Sequence, residues 1–94
     1  MAADPARRAS LKPHPKLAHR VIEGRAFIMD PRDNTLHSLN ETGTLVWRAL
    51  AQGQGPEAAA RSIAERFEVT PEEAVEDAAA FLRDLRSLGL VVDA

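Results

Sequence analysis

The sequence has 94 residues, of which 45% are hydrophobic and 28% are charged, and its formal net charge is −2 at pH 7. This length allows one domain with one modest core, and the composition is too apolar for a wholly disordered chain. The charge excludes a general attraction for nucleic acid or anionic lipid, and the lack of cysteine excludes disulfides and thiol chemistry. Because no stretch resembles a signal peptide or a membrane span, we expect a cytoplasmic protein.

The first sixteen residues, MAADPARRASLKPHPK, carry three prolines and five basic side chains when His14 is counted. They show no sustained hydrophobic period. We therefore predict a flexible N-terminal arm over residues 1–16 and a single domain over residues 17–94.

Three short antiparallel strands are predicted next, near residues 17–22, 25–30 and 34–39. Their apolar and β-branched runs are interrupted by Glu23-Gly24 and by Pro31–Asn34, which are typical of hairpin turns. The third strand ends the meander and so has a free edge, which is a template for another chain.

Three helical patterns follow the strands. Asn40 is a preferred N-cap for the first helix, and Gly55-Pro56 is typical of the start of the second. Thr70 and Glu73 form a capping-box pattern at the start of the third helix, which Gly89 ends. The predicted fold class is therefore α+β, with a three-stranded antiparallel sheet followed by three helices.

Two long segments resemble the PqqD family. LHSLNETGTLVWRAL, residues 36–50, is similar to the strand-to-helix segment of that family. IAERFEVTPEEAVEDAAAFLRDLRSLGLV, residues 63–91, resembles its second half, in which an Ile-Ala…Phe stretch precedes an Asp, a Phe-Leu pair, a Leu and a Gly-Leu. The resemblance covers about residues 17–92. It implies a small fold like a winged helix-turn-helix, known as the RiPP recognition element.

The resemblance also implies a function in natural product biosynthesis. Proteins of this kind are non-catalytic peptide chaperones that bind the leader region of a ribosomally made precursor peptide. They present it to a modifying enzyme, often a radical SAM protein, and the resemblance implies no cofactor or metal. The leader is taken as an extra strand on the third strand and lies against the third helix. The implied peptide-binding residues are Asn34, Thr35, Leu36, His37, Ser38 and Leu39 from the strand and Val75, Ala78, Ala79, Leu82, Arg83 and Arg86 from the helix.

The residues themselves agree with this mechanism. A bare strand edge beside an alanine-rich helix is suited to β-augmentation, in which main-chain hydrogen bonds give affinity and side-chain pockets give specificity. Arg83 and Arg86 are candidates to pair with carboxylates of the leader.

Three alternatives stay open. The main one is a winged-helix DNA-binding regulator, which the basic arm favours, although four carboxylates at the start of the third helix would repel phosphates: Glu72, Glu73, Glu76 and Asp77. Another is a protein scaffold that binds no leader. The free edge also permits a homodimer by pairing of two third strands.

Catalysis and metal binding are disfavoured. His37 and Ser38 are neighbours in a strand, so their side chains point to opposite faces and cannot form a base–nucleophile pair. His19 and His37 lack a carboxylate or third ligand at convincing spacing, and His14 lies in the predicted arm, so we assign structural or surface roles to the histidines. Trp47 is predicted to be a core residue of the first helix.

Overall fold

The computed structural model describes residues 11–93, and it confirms a three-stranded antiparallel sheet followed by three helices. A separate two-stranded sheet joins the two ends of this part of the chain. The elements in chain order are β1 (Leu11–Pro13), β2 (Ala18–Ile22), β3 (Arg25–Asp30), β4 (Thr35–Ser38), α1 (Glu41–Ala51), α2 (Pro56–Arg66), α3 (Pro71–Ser87) and β5 (Val91–Asp93).

The larger sheet is a meander in the order β2-β3-β4. Its first turn consists of Glu23 and Gly24, both with positive φ (51° and 78°), which is the backbone of a type I′ hairpin turn. The turn from β3 to β4 ends at Asn34, also at positive φ (58°), a conformation that asparagine tolerates well. Both turns confirm the predicted hairpins.

The helices begin where the capping residues predict. The Asn40 side chain accepts a hydrogen bond from the Gly43 N–H (2.8 Å) at the start of α1. Thr70 and Glu73 form the full capping box at the start of α3, with each side chain accepting from the other residue's N–H. Gly89, at φ 73°, follows the end of α3.

The core is built around α1, which contacts β1, β3, α2 and α3. Trp47 is buried as predicted, and its ring lies edge-on to the His19 ring of β2, with a centroid distance of 5.2 Å. Thr44 is also buried, and its hydroxyl accepts a hydrogen bond from the Ala26 N–H (2.8 Å), which connects α1 to β3. The largest fully buried apolar side chains come from β3, from all three helices and from the segment after α3: Trp47, Ile28, Leu50, Ile63, Leu85, Leu90 and Val46.

Residues 11–13 differ from the predicted flexible arm. They form β1, which pairs antiparallel with β5 and places Leu11 opposite Asp93. Leu11 also packs against the core, next to β5, whose Val91 is buried. The arm prediction was wrong here because a three-residue strand is too short to show a period, and its partner is about eighty residues away in sequence. Residues 1–10 of the predicted arm lie outside the described residues.

A close contact between two helices fixes the corner where β4 turns into α1. Gly43 in the first turn of α1 is buried, and a Cβ atom on it would lie 2.6 Å from Cε1 of Phe81 in α3. Such a distance is well inside van der Waals contact, so only glycine fits unless the phenyl ring moves. The contact holds α3 against the end of β4.

Replacing Gly43 by alanine should therefore destabilise the fold. An alanine in an open helix position gains about 0.5–1 kcal/mol over glycine, but overpacking against the partly buried Phe81 ring costs about 1–3 kcal/mol. We expect a net loss of up to about 2.5 kcal/mol in the free energy of unfolding, measured by urea denaturation with circular dichroism.

The matched control is the same substitution in a Phe81→Leu background. With the ring removed, Gly43→Ala should become neutral or stabilising. An equal loss in both backgrounds would show that the contact with Phe81 does not limit this position.

Candidate functional site

The outer edge of β4 is unpaired within residues 11–93, because β4 pairs only with β3. The Leu39 N–H donates to the Ala26 carbonyl (2.9 Å), so residues 39, 37 and 35 direct their main-chain groups toward β3. By the alternation of an antiparallel ladder, Leu36 and Ser38 direct their N–H and C=O groups toward the free edge. These two residues are the main-chain contacts available to another strand.

Apart from the short length of β4, this edge has none of the usual protections against pairing. The four residues of β4 are Thr, Leu, His and Ser, without a proline, lysine or carboxylate. The opposite edge, β2, is also free among the described strands and directs the main-chain groups of His19 and Val21 outward, but it carries Arg20. An unprotected edge is suited to accept an extended peptide.

The helix α3 is fixed next to both ends of β4. Phe81 contacts Gly43 at the corner after β4, and the Arg32 Nη2 donates to the Gly89 carbonyl (2.9 Å) at the turn before it. The part of α3 from Phe81 to its end at Ser87 is about 9 Å long, and β4 extended to Leu39 spans about 13 Å. Because Phe81 lies at the corner after β4 and Gly89 at the turn before it, this part of α3 and β4 run in opposite directions between the two contacts.

The side of α3 that meets this corner carries Phe81 and, at helical spacing from it, Asp84 and Leu88. Leu88 is about half exposed, and Asp84 is exposed. We call the free edge of β4 together with Phe81, Asp84 and Leu88 the edge site. The sequence analysis missed these helix residues, although a glycine inside a predicted helix is a signal of close packing at that position.

A partly buried ion pair holds the turn at one end of the edge site. Arg32 donates from Nε and Nη2 to the two carboxylate oxygens of Asp30 (2.9 and 2.7 Å), and Asp30 is buried. The hydrogen bond from the Arg32 side chain lowers the pKa of Asp30 from 3.8 to about 2. Since the same guanidinium reaches the Gly89 carbonyl, the pair connects β3, the turn and the end of α3.

Of the strand residues predicted for the site, four form β4 and two, Asn34 and Leu39, flank it, whereas most of the predicted helix residues lie on the α2 side of α3. Val75, Ala78, Ala79, Leu82 and Arg83 line a cleft of about 360 Å³ together with Pro56 and Glu57 of α2. Among the described residues, none from β4 lines this cleft. These five residues lie roughly 60–200° around α3 from Phe81, at about 100° per residue. The two predicted halves of the site therefore meet different sides of α3.

The remaining predicted helix residue, Arg86, forms an exposed ion pair with Asp93 of β5, in which Nη2 and Oδ1 are 3.6 Å apart. Arg83 has no carboxylate within ion-pairing distance among residues 11–93. Of the two arginines predicted to bind leader carboxylates, only Arg83 thus belongs to the cleft on the α2 side.

The histidines occupy structural positions. His19 contacts the Trp47 ring, and His14 Nδ1 accepts a hydrogen bond from the Lys16 N–H (3.1 Å). His37 lies opposite buried Ile28 and is half-buried, whereas Ser38 is exposed. Within residues 11–93, no three His, Asp or Glu side chains come together in a group that could hold a metal ion. No helix of that region is long and apolar enough to cross a membrane.

The fold and the site define a small α+β domain in which the free edge of β4 lies near a helix. Residues 25–91 match the family described as Coenzyme PQQ synthesis protein D (PqqD). Because the match covers more than half of the chain, the protein belongs to the PqqD family, which confirms the resemblance in the sequence.

Two solved structures share this fold. One is TbiB1 in complex with the TbiA(beta) leader peptide, with a TM-score of 0.80, 22% identity, and coverage of 88% of this chain and 96% of that chain. The other is lasso peptide synthetase B1 complexed with the leader peptide, with a TM-score of 0.79, 24% identity, and coverage of 89% and 99%. No curated protein matches the sequence.

The Asp30–Arg32 pair predicts a loss of stability in acid. Because the pKa of Asp30 is lower in the folded protein than its ordinary 3.8, the stabilisation is complete above about pH 4 and is lost as the pH falls from there to about 2. Asp30→Asn should be less stable than the parent at pH 7 and should show a smaller decline between pH 4 and pH 2. Urea unfolding at a series of pH values measures both effects.

Asp33→Asn, in the same turn but outside the pair, serves as the control and should keep the parent's decline. Hydrogen bonds with Thr70 also lower the pKa of Glu73. Every variant should therefore still lose some free energy of unfolding as the pH falls. If Asp30→Asn declined as steeply as the parent, the ion pair would not contribute to the pH dependence.

Proposed function

We propose that this protein binds the leader region of a ribosomally made precursor peptide and presents it to a modifying enzyme, as a non-catalytic member of the PqqD family. The observation that carries the proposal is the unprotected edge of β4, with the main-chain groups of Leu36 and Ser38 directed outward. The two solved structures with this fold support it, because each contains a leader peptide.

An added strand would pair with β4 through its backbone. An antiparallel guest exchanges two hydrogen bonds with Leu36 and two with Ser38, which gives affinity with little dependence on the guest sequence. Side chains of the guest on the other face would approach Phe81 and Leu88, both at least partly exposed. The strand thus supplies main-chain contacts and α3 supplies an apolar wall.

The cleft between α2 and α3 is proposed as a second contact for the same leader. β4 is only four residues long, so most of a leader peptide extends beyond it. The cleft is lined by apolar side chains such as Val75 and Leu82, with Arg83 at its margin. In this arrangement a carboxylate of the leader would pair with Arg83, which the exposure of Arg83 permits.

A role in presentation rather than catalysis follows from the site's chemistry. The site offers main-chain groups, apolar side chains and Asp84, and its only adjacent base and hydroxyl, His37 and Ser38, lie on opposite faces of β4. We propose that the chemistry is carried out by a partner enzyme in the cytoplasm, for example a radical SAM protein.

DNA binding through α3 is disfavoured by charge. Glu72, Glu76 and Asp77 are exposed in the first turns of α3, and the hydrogen bonds from Thr70 lower the pKa of Glu73, which keeps it ionised. In a winged-helix regulator this end of the helix would approach the phosphates, so the carboxylates would repel them.

The proposal predicts that Ser38→Pro weakens peptide binding. Proline removes the edge-facing N–H and blocks the ladder, but it is tolerated on a free edge. The probe is the leader half of a candidate precursor peptide, titrated into ¹⁵N-labelled protein. In the parent, shifts should centre on the amides of residues 34–39, and Ser38→Pro should weaken affinity by about tenfold or more, since one lost hydrogen bond and the disrupted neighbouring pairs together exceed about 1.4 kcal/mol.

Val21→Pro places the same change on the outward-facing position of β2 and is the matched control. It should bind the peptide like the parent. A reversal of the two results would assign the peptide to the β2 edge, and shifts produced by duplex DNA but not by the peptide would support the regulator instead.

A second prediction concerns the α2–α3 cleft. Arg83→Glu should weaken binding of a leader that contains carboxylates, by a few-fold, because it replaces an attractive pair with a repulsive one at an exposed site. Arg86→Glu, which lies next to Asp93 and outside the cleft, is the control and should have a smaller effect. Unchanged affinity for Arg83→Glu at low salt would remove the cleft from the proposed site.

A further inference from the structure

The face of the sheet turned away from α1 carries an apolar row that crosses all three strands. Leu36 of β4 lies opposite Met29 of β3, and Met29 lies opposite Ala18 of β2. Leu36 is 59% exposed and Met29 is 39% exposed. These three residues, which we call the outer row, line an open depression of about 240 Å³ together with Phe27 and Arg20.

The outer row ends at the free edge, with Leu36 as its last member. The backbone of Leu36 is directed outward, so an antiparallel guest strand would place one residue directly opposite it in a hydrogen-bonded pair. The side chain of that guest residue would lie on the same face as Leu36, with its Cβ about 5 Å from that of Leu36. It would become the fourth member of the row.

We propose that Leu36 selects an apolar side chain at the guest position that pairs with it. This inference rests on the proposed addition of a strand to β4. An apolar guest residue covers the exposed Leu36 and continues the outer row, whereas a charged or small polar residue leaves Leu36 in water and loses the cross-strand contact. Contacts on the outer face of the sheet, as well as contacts with α3, thereby contribute to the specificity for the guest peptide.

The occupant is a peptide rather than a second copy of this chain. Pairing two β4 strands would join only four residues from each copy, whereas a stable interface involves roughly 20–30 residues a side. A peptide can add contacts beyond the strand, at Phe81 and Leu88, while its alternate residues meet the outer row.

The experiment uses twelve-residue peptides selected from a random phage-displayed library on the parent protein. Peptides are kept when they shift the Leu36 and Ser38 amides of the ¹⁵N-labelled protein. Nuclear Overhauser contacts then identify the guest residue opposite Leu36. We expect that residue to be apolar, and its replacement by serine should weaken binding about two- to fivefold, the range of a cross-strand pair.

In Leu36→Ser, replacing the guest residue by serine should cost little affinity. The selected peptide and its serine-substituted form should then bind this variant nearly equally. Leu36→Met, which keeps an apolar side chain, should preserve the sensitivity to this replacement. Ile22→Ser is the matched control, because Ile22 is also an exposed apolar residue on this face of the sheet but lies on β2, at the far edge. It should leave the sensitivity unchanged, and circular dichroism should show that all variants are folded.

The outcomes separate this inference from the proposed function. Selected peptides that bind along β4 but with the same sensitivity in Leu36→Ser would overturn the inference and leave strand addition intact. A failure to find any peptide that shifts the β4 amides would overturn both. A concentration-dependent dimer that Ser38→Pro dissociates would assign the edge to a second copy and would also overturn the inference.

Discussion

The contact of Gly43 with the Phe81 ring is the constraint on which the arrangement of the molecule depends. It lies at the corner where β4 becomes α1, next to the Asn40 cap, and it decides how closely α3 can approach that corner. Thr44, the next residue, holds the same turn of α1 to β3 through its hydroxyl. One helical turn therefore sets the positions of the sheet and of α3.

The opposite end of β4 is held by polar groups instead of close packing. Arg32 donates to Asp30 from Nε and Nη2 and to the Gly89 carbonyl from Nη2, so none of these hydrogen bonds uses a group of β4. The strand between these two fixed ends keeps its own outward backbone groups free. Contacts that hold both ends of an unpaired edge in place lower the entropy cost of adding a strand.

The parts of the fold that were predictable depend on local chemistry. Asn40, Thr70 and Gly89 act on backbone groups within a few residues, so they reveal helix ends directly in the sequence. Contacts between distant residues were not predictable in this way. The helical period shows that Val75 and Leu82 share a face of α3, but it does not show that this face meets α2 while Phe81 meets Gly43. The pairing of β1 with β5 was missed for the same reason.

That pairing has a topological consequence. Leu11 lies opposite Asp93, so the two ends of the described chain emerge side by side from the same small sheet. A linker of a few residues would be enough to join them, and new ends could be opened in the exposed turn at Gly53 and Gln54 between α1 and α2. A circularly permuted chain of this kind would retain β4 and its free edge within an uninterrupted segment.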